Sequence, residues 1–455
     1  MSNASKYNLV EGSIVNKLFF VAAPIIMTQI FQMAYNLTDM FWLGRLSSDT
    51  VAASGTAGLY LWLAMAFFLI GRMGAEIGVS QNLGMGDKDA ARSYAQNAIL
   101  LAIILGITVA ALYMIFHGRM ISFFGIQEAH VEQYAREYLS IVSLSLPFTF
   151  TIMAISGTFN GAGNSRVSML INGVGFTLNM VLDPLLIFTA GLGIRGAGLA
   201  TVIAQSVAVC LAIFMLKKYK NRPFENIKIF TRPNGEVIRQ IFKWVTPISL
   251  ESGLFTILTM LVTPLVAIYG AGALATIRIG SQIESLTWLI AGGYASALTA
   301  FVGQNFGASK WSRIHSGFKI STRLMVTWGF LVSILLFFAG GSLFRIFVPN
   351  DPDVIDKGIQ FLRILATIQI VACLEGVAAG IFRGQGKTLQ PSIASISSNF
   401  LRVLLAYAVT FLTDWGLNGI WIAITVSAAI RGIWIFTWYL MYSRRTPKFD
   451  TTQAS

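Results

Sequence analysis

Asp39 stands in QMAYNLTDMFWLG, residues 32–44, and Asp183 in NMVLDP, residues 179–184. Each is a carboxylate set within a long apolar run. Asn179 precedes Asp183 by four residues, so on a helix the two side chains share a face. Pro184 follows directly and has no N–H, which leaves the carbonyl of Met180 without its helical partner. That gives either a further oxygen ligand or a kink at the same depth. An ionised carboxylate in such a place costs roughly 2.5–3.5 kcal/mol on insertion scales, and a low dielectric favours the neutral acid. A carboxylate balanced between the two forms takes up a proton and gives it back as its access to solvent changes. Hard oxygen donors also suit a monovalent cation such as Na⁺. A static hydrogen-bonded network locking its helices together is the other reading of the same residues.

The elements that must carry these groups are membrane spans. Hydrophobic residues make up 55% of the chain and charged residues only 12%, with a mean hydropathy of +0.67. Soluble chains carry about twice that charge. Apolar blocks of about 20 residues or more recur along the sequence, each long enough to cross a hydrocarbon core. Twelve spans are predicted, at 14–45, 51–83, 93–116, 134–160, 165–190, 195–218, 238–268, 274–306, 316–348, 358–383, 388–412 and 416–442. The leader MSNASKYNLVEGSIVNK is too short and polar for a signal peptide and suits an amphipathic helix on the membrane face. The net charge of +13 does not point to nucleic acid. With both termini cytoplasmic, about 22 Lys and Arg fall at inside loops and about 7 outside, the positive-inside pattern of a multi-pass protein of a prokaryotic plasma membrane. Cys210 and Cys373 fall in spans, where each thiol is a small core residue rather than half of a disulfide.

Sliding the chain against itself by 223 residues aligns Pro24 with Pro247 and QNLG at 81–84 with QNFG at 304–307. GTFNGAG at 157–163 meets GIFRGQG at 380–386, and GIRGAGLA at 193–200 meets GLNGIWIA at 416–423. The shared glycines read as caps, turns and close backbone approach. GIFRGQGKT is no phosphate loop, since Ile381 stands where the first glycine is needed and no strand precedes it. The expected fold is therefore all-α: twelve transmembrane helices in two six-helix bundles about a pseudo-twofold along the membrane normal, with a central cleft. The amino-terminal lobe is placed at 1–222, a basic linker leading into span seven at 223–243, and the carboxy-terminal lobe at 244–455.

Polar residues present in one copy alone are the informative ones. Asp39 maps onto Val262, Asn179 onto Arg402, Asp183 onto Ala406 and Thr201 onto Ile424. At this point the chain resembles the multidrug and toxic compound extrusion (MATE) transporters, DinF-like branch, over essentially its whole length. The resemblance rests on the two halves, the acid-bearing first span PIIMTQIFQMAYNLTDMFWLG, the paired QN-x-G ends and NMVLDP. It implies drug/cation antiport by rocking between outward- and inward-open states. It also implies a coupling-ion site at Asp39, Asn179, Asp183 and Thr201, and a bending role for Pro24 in the first span. Glu251 resembles an acid that the NorM-like branch uses for sodium in its carboxy-terminal lobe; Glu375 lies about a turn from the second acid of that site.

Other intramembrane charges are expected to pair. Arg72 and Glu76, four apart on span two, are read as an ion pair. Glu284 with Arg278, and Arg402, are read as pairing within the carboxy half or lining the cleft. Met33, Asn36 and Met40 share one face of the first span, with Tyr35 and Asp39 on the adjoining one. With Met180 and Glu251 they are the candidate substrate wall, since soft flexible side chains accommodate many shapes. An apolar wall with a titratable acid favours lipophilic, often cationic, small molecules. No cofactor is implied beyond a coupling ion, H⁺ first and Na⁺ as the alternative. Nothing demands more than one chain. A lipid-linked oligosaccharide flippase, which needs a more cationic cleft, is the competing class. A channel lacks its filter loop, and an enzyme lacks a nucleophile–base set.

Overall fold

The computed structural model describes residues 7–349 and 351–447. They are mostly helical and contain no strand. Ten helices are long and apolar enough to span a membrane, and two bent pairs bring the number to twelve. The chain packs as two units, one running through Gly12 and from Phe19 to Ser249, the other holding Ser13–Leu18 and the residues from Leu250 onward.

The first unit contains α1 (Ile14–Leu46) from Phe19 onward, α2 (Ser48–Met85), α3 (Lys88–Ser122), α4 (Ala129–Ser143), α5 (Leu146–Gly161), α6 (Ser165–Pro184) and α7 (Gly193–Lys218). Local chemistry sets several ends. Ser47 accepts from the Thr50 N–H and Asp87 from the Ala90 N–H, and Gly86 closes α2 with a left-handed φ of 83°. Next, α8 (Gly235–Ala267) begins in this unit, where Ile241, Trp244, Val245 and Ile248 pack on Ile70, Met73 and Ile77 of α2. The second unit takes the rest of α8 and adds α9 (Ala271–Gly307), α10 (Trp311–Phe347), α11 (Pro352–Ala366), α12 (Gln369–Gly384), α13 (Leu389–Leu412) and α14 (Gly416–Ser443). The outward faces are strongly apolar, with Phe19, Ile115 and Phe338 at least 70% exposed, as lipid contact requires.

The two units repeat each other's packing. In the first, α2 packs on α3 and α5; in the second, α9 packs on α10 and α12. The repeated glycines make this possible. A β-carbon at Gly161 would lie 2.6 Å from the Glu76 carbonyl oxygen, and one at its repeat mate Gly384 would lie 2.7 Å from that of Thr299. Gly161→Leu is therefore expected to destabilise the protein by about 1–3 kcal/mol through forced separation of α2 from α5. Gly55→Leu, with open space around it, should leave the melting temperature in detergent unchanged. Equal melting temperatures for the two variants would refute the close-approach reading.

The fourth and tenth spans, predicted as single helices, are each broken, α4 to α5 by 47° and α11 to α12 by 48°. Pro147 opens α5, but Ile370 occupies the equivalent place in α12, so proline alone is not the cause. Gly106 of α3 and its repeat mate Gly329 of α10 receive the backbone of Pro147 and Ile370. The break is thus built by helix packing. Two further expectations change. Among the described residues Arg72 and Glu76 form no ion pair with each other; Glu76 is wholly buried on the stretch of α2 that meets Gly161. Cys210 lies on an exposed face of α7, whereas Cys373 is buried. The expected amphipathic leader falls largely on residues 1–6, which lie outside the described residues; Tyr7 is helical, and residues 9–12 bend before α1.

Candidate functional site

The first unit gathers Asp39 of α1, Asn179 and Asp183 of α6 and Thr201 of α7 into one polar cluster. Helix α6 supplies the i, i+4 pair, and its end is marked by Pro184, after which Leu185–Thr189 form one π-helical turn. Helix α7 packs directly on α6, which sets Thr201 opposite Asn179. In the amide orientation that satisfies both neighbours, Asn179 donates to Asp183 Oδ2 at 2.9 Å. Its oxygen accepts from the Thr201 N–H at 3.0 Å, with Thr201 Oγ1 at 3.2 Å. Asp183 is wholly buried, Asn179 is 2% exposed and Asp39 is half-buried.

Two features define what this cluster can do. Asp39 and Asp183 are close enough to act on each other electrostatically. Each also has a buried carboxylate oxygen, Oδ1, with no hydrogen-bond partner. Among the described residues no basic side chain forms an ion pair with either acid. Two neighbouring carboxylates that both ionise in a low dielectric repel each other and lose hydration. A proton on one of them, or a cation between them, removes that cost. Two carboxylates with orphaned oxygens, one of them steadied by an amide donor, have the chemistry to take a proton or a hard monovalent cation.

Two tyrosines complete the cluster. Tyr35, one turn before Asp39, stacks on Phe176 with centroids 5.5 Å apart and brings its hydroxyl up to Thr201. It faces the acids, although its sequence position suggested the substrate wall. Tyr138 of α4, 5% exposed, feels Asp39, Asp183 and Tyr35 and was not anticipated. The repeat carried the signal: Tyr138 maps onto Phe361, a hydroxyl lost between copies just as the acids are. The other residues of the expected wall lie as follows. Met33 and Met180 are half-buried, while Asn36 and Met40 lie on the exposed side of α1. Pro24 sits within a continuous α1, its carbonyl accepting from Thr28 Oγ1 at 2.9 Å. Glu251 belongs to the second unit, where it accepts from Ser392 Oγ at 2.8 Å and faces Arg383 at 3.8 Å.

In the second unit the mates of the two acids and of Thr201 are apolar, and only Arg402, the mate of Asn179, is charged. Val262, Ala406 and Ile424, the mates of Asp39, Asp183 and Thr201, pack with Ile420 and Ala423 into an apolar cluster. The expected Glu284–Arg278 pair does not form, since Arg278 is exposed and Glu284 instead accepts from Trp288 Nε1 at 3.2 Å. Arg431 pairs with Glu375 at 2.9 Å.

The chain is 28% identical to a probable multidrug resistance protein NorM of Thermotoga maritima over 91% of its length and 90% of that protein. It is 26% identical to DNA damage-inducible protein F of Escherichia coli, again over 91% and 90%. Its fold matches a multidrug resistance MATE family transporter of the MOP superfamily, solved in an outward-facing conformation. That match has a TM-score of 0.91 at 21% identity and covers 97% of this chain and 99% of the other. The profile of the MatE family matches twice, at residues 24–185 and 247–408, one copy per repeat. The chain is a member of the MatE family of multi-pass membrane transporters.

Proposed function

We propose that this protein is a secondary active multidrug exporter that exchanges protons for lipophilic, often cationic, compounds by alternating access. It would work as a single chain in a prokaryotic cytoplasmic membrane, with both termini inside. The observation that carries this reading is the pair of unclamped acids, each with an orphaned buried oxygen, in one repeat and not the other. Protonation of Asp39 or Asp183 removes one buried charge and with it the repulsion between them, and the new O–H can donate to the neighbouring carboxylate. Deprotonation restores a negative site that attracts a cation. Asn179 holds Asp183 at a fixed distance from Thr201, so the proton moves between defined acceptors. Coupling then needs only that proton and drug favour opposite states. Pro24, lacking an N–H inside α1, is the position where that helix bends during the exchange. The exposed Met40 and half-buried Met33 and Met180 offer soft contacts for varied apolar cargo.

Proteoliposome efflux of a lipophilic cation, driven separately by a pH gradient and by a Na⁺ gradient at fixed pH, tests the proposal. Driven efflux with the pH gradient alone is expected. Equal stimulation by Na⁺ alone would assign the same oxygens to sodium. Scrambling of a lipid-linked sugar without drug efflux would assign the chain to the flippase class.

A further inference from the structure

The basic linker of residues 217–234 has no part in the exchange of cations. Lys218 ends α7 and Gly235 begins α8, so both ends of the linker lie where a span leaves the membrane. Between those points it is strapped to the first unit. Phe224, Ile227 and Ile229 are at most 8% exposed within that unit's core. The Asn234 N–H donates to Asn97 Oδ1 of α3 at 2.9 Å, and Asn164, between α5 and α6, donates to the Asn221 carbonyl at 3.4 Å. The linker therefore runs across the end of the unit at the level where the spans emerge. From Ile227 to Phe230 the side chains alternate between buried and exposed, which turns Lys228 and Phe230 outward. Phe230 is 77% exposed. Lys217, Lys218, Lys220 and Arg232 are exposed too, and among the described residues none of these bases forms an ion pair. Glu225 is the one acid in the sequence from 217 to 234.

We propose that the outward side of this linker is a docking surface for anionic phospholipid. Its exposed bases receive headgroup phosphates, and Phe230 enters the boundary between headgroups and acyl chains. This holds whatever the protein carries. Bases beside a span's end face the negative charge of the bilayer surface, and each adds a similar increment to binding. An aromatic ring between two of them adds apolar burial that only a lipid, and no soluble anion, can supply. Because Phe224, Ile227 and Ile229 already fix the segment, docking orders little further backbone.

Native mass spectrometry of the full-length protein, titrated in micelles with phosphatidylglycerol or with phosphatidylcholine, tests this. Wild type is expected to retain phosphatidylglycerol in preference. Lys228→Gln with Arg232→Gln should weaken it roughly 25-fold, about fivefold for each base removed. Phe230→Ser, which keeps every charge, should weaken it roughly 10-fold. Both variants change exposed side chains, so an unchanged melting temperature is expected and reports an intact fold. Arg444→Gln with Arg445→Gln removes two exposed bases outside the linker and should leave binding as it was. An equal loss in that variant would make binding a matter of bulk charge and overturn the assignment. No preference for phosphatidylglycerol in wild type, or full binding by Phe230→Ser, would overturn it as well. Displacement of the lipid by inorganic phosphate or oligoglutamate at the same concentration would give the surface to a soluble anion or an acidic protein instead.

Discussion

Asp39→Asn is expected to keep the fold and lose gradient-driven export, by about 5–150-fold, the usual range of a coupling free energy. The structural cost is small because the equivalent place in the second unit is filled by Val262 within an apolar cluster. An amide of the same shape fits where the carboxylate stood, but it can neither release a proton nor hold a cation's charge. Asp183→Asn should behave similarly, with an added local cost, since Asn179 donates to Asp183 Oδ2 and an amide there accepts less strongly. Efflux rates in proteoliposomes at matched protein level check both. Full driven transport by Asp39→Asn would remove that acid from the mechanism.

Glu375→Gln is expected to be the most destabilising of the single changes considered, at about 3–5 kcal/mol. Arg431 is only 7% exposed, and its guanidinium loses the one carboxylate in ion-pair contact with it among the described residues, at 2.9 Å. A buried charge left unpaired keeps its desolvation cost and loses the attraction that offset it. The double variant Glu375→Leu with Arg431→Met removes both charges and should recover most of the loss, because apolar replacements of buried pairs are often neutral or better. Thermal unfolding in detergent distinguishes the cases. A double variant as unstable as Glu375→Gln would mean that the pair supports packing rather than balancing charge.

Much of this was legible in the chain. The 223-residue offset appears in the sequence as paired glycines and in the structure as paired helix contacts, with Gly161 and Gly384 each meeting backbone. The spacing of Asn179 and Asp183 on one helix, and their absence from the other copy, mark most of the acid cluster in the sequence itself. The helix breaks were not legible, because they arise where Gly106 and Gly329 admit another helix's backbone, a contact between distant residues. The arginine pairings failed for a related reason. Spacing along one helix names possible neighbours, but Arg431 found its acid on α12, 56 residues away. Tyr138 was missed because a tyrosine among apolar residues reads as packing until its mate, Phe361, is set beside it.

The account stands most directly on protons exchanged for substrate at the Asp39–Asp183 pair. Calorimetric binding of a lipophilic cation to the purified protein, repeated in buffers of different ionisation enthalpy, counts the protons released. Wild type is predicted to release protons on binding and Asp39→Asn to release fewer or none. Binding heats independent of buffer in wild type, or identical proton release by Asp39→Asn, would contradict the claim.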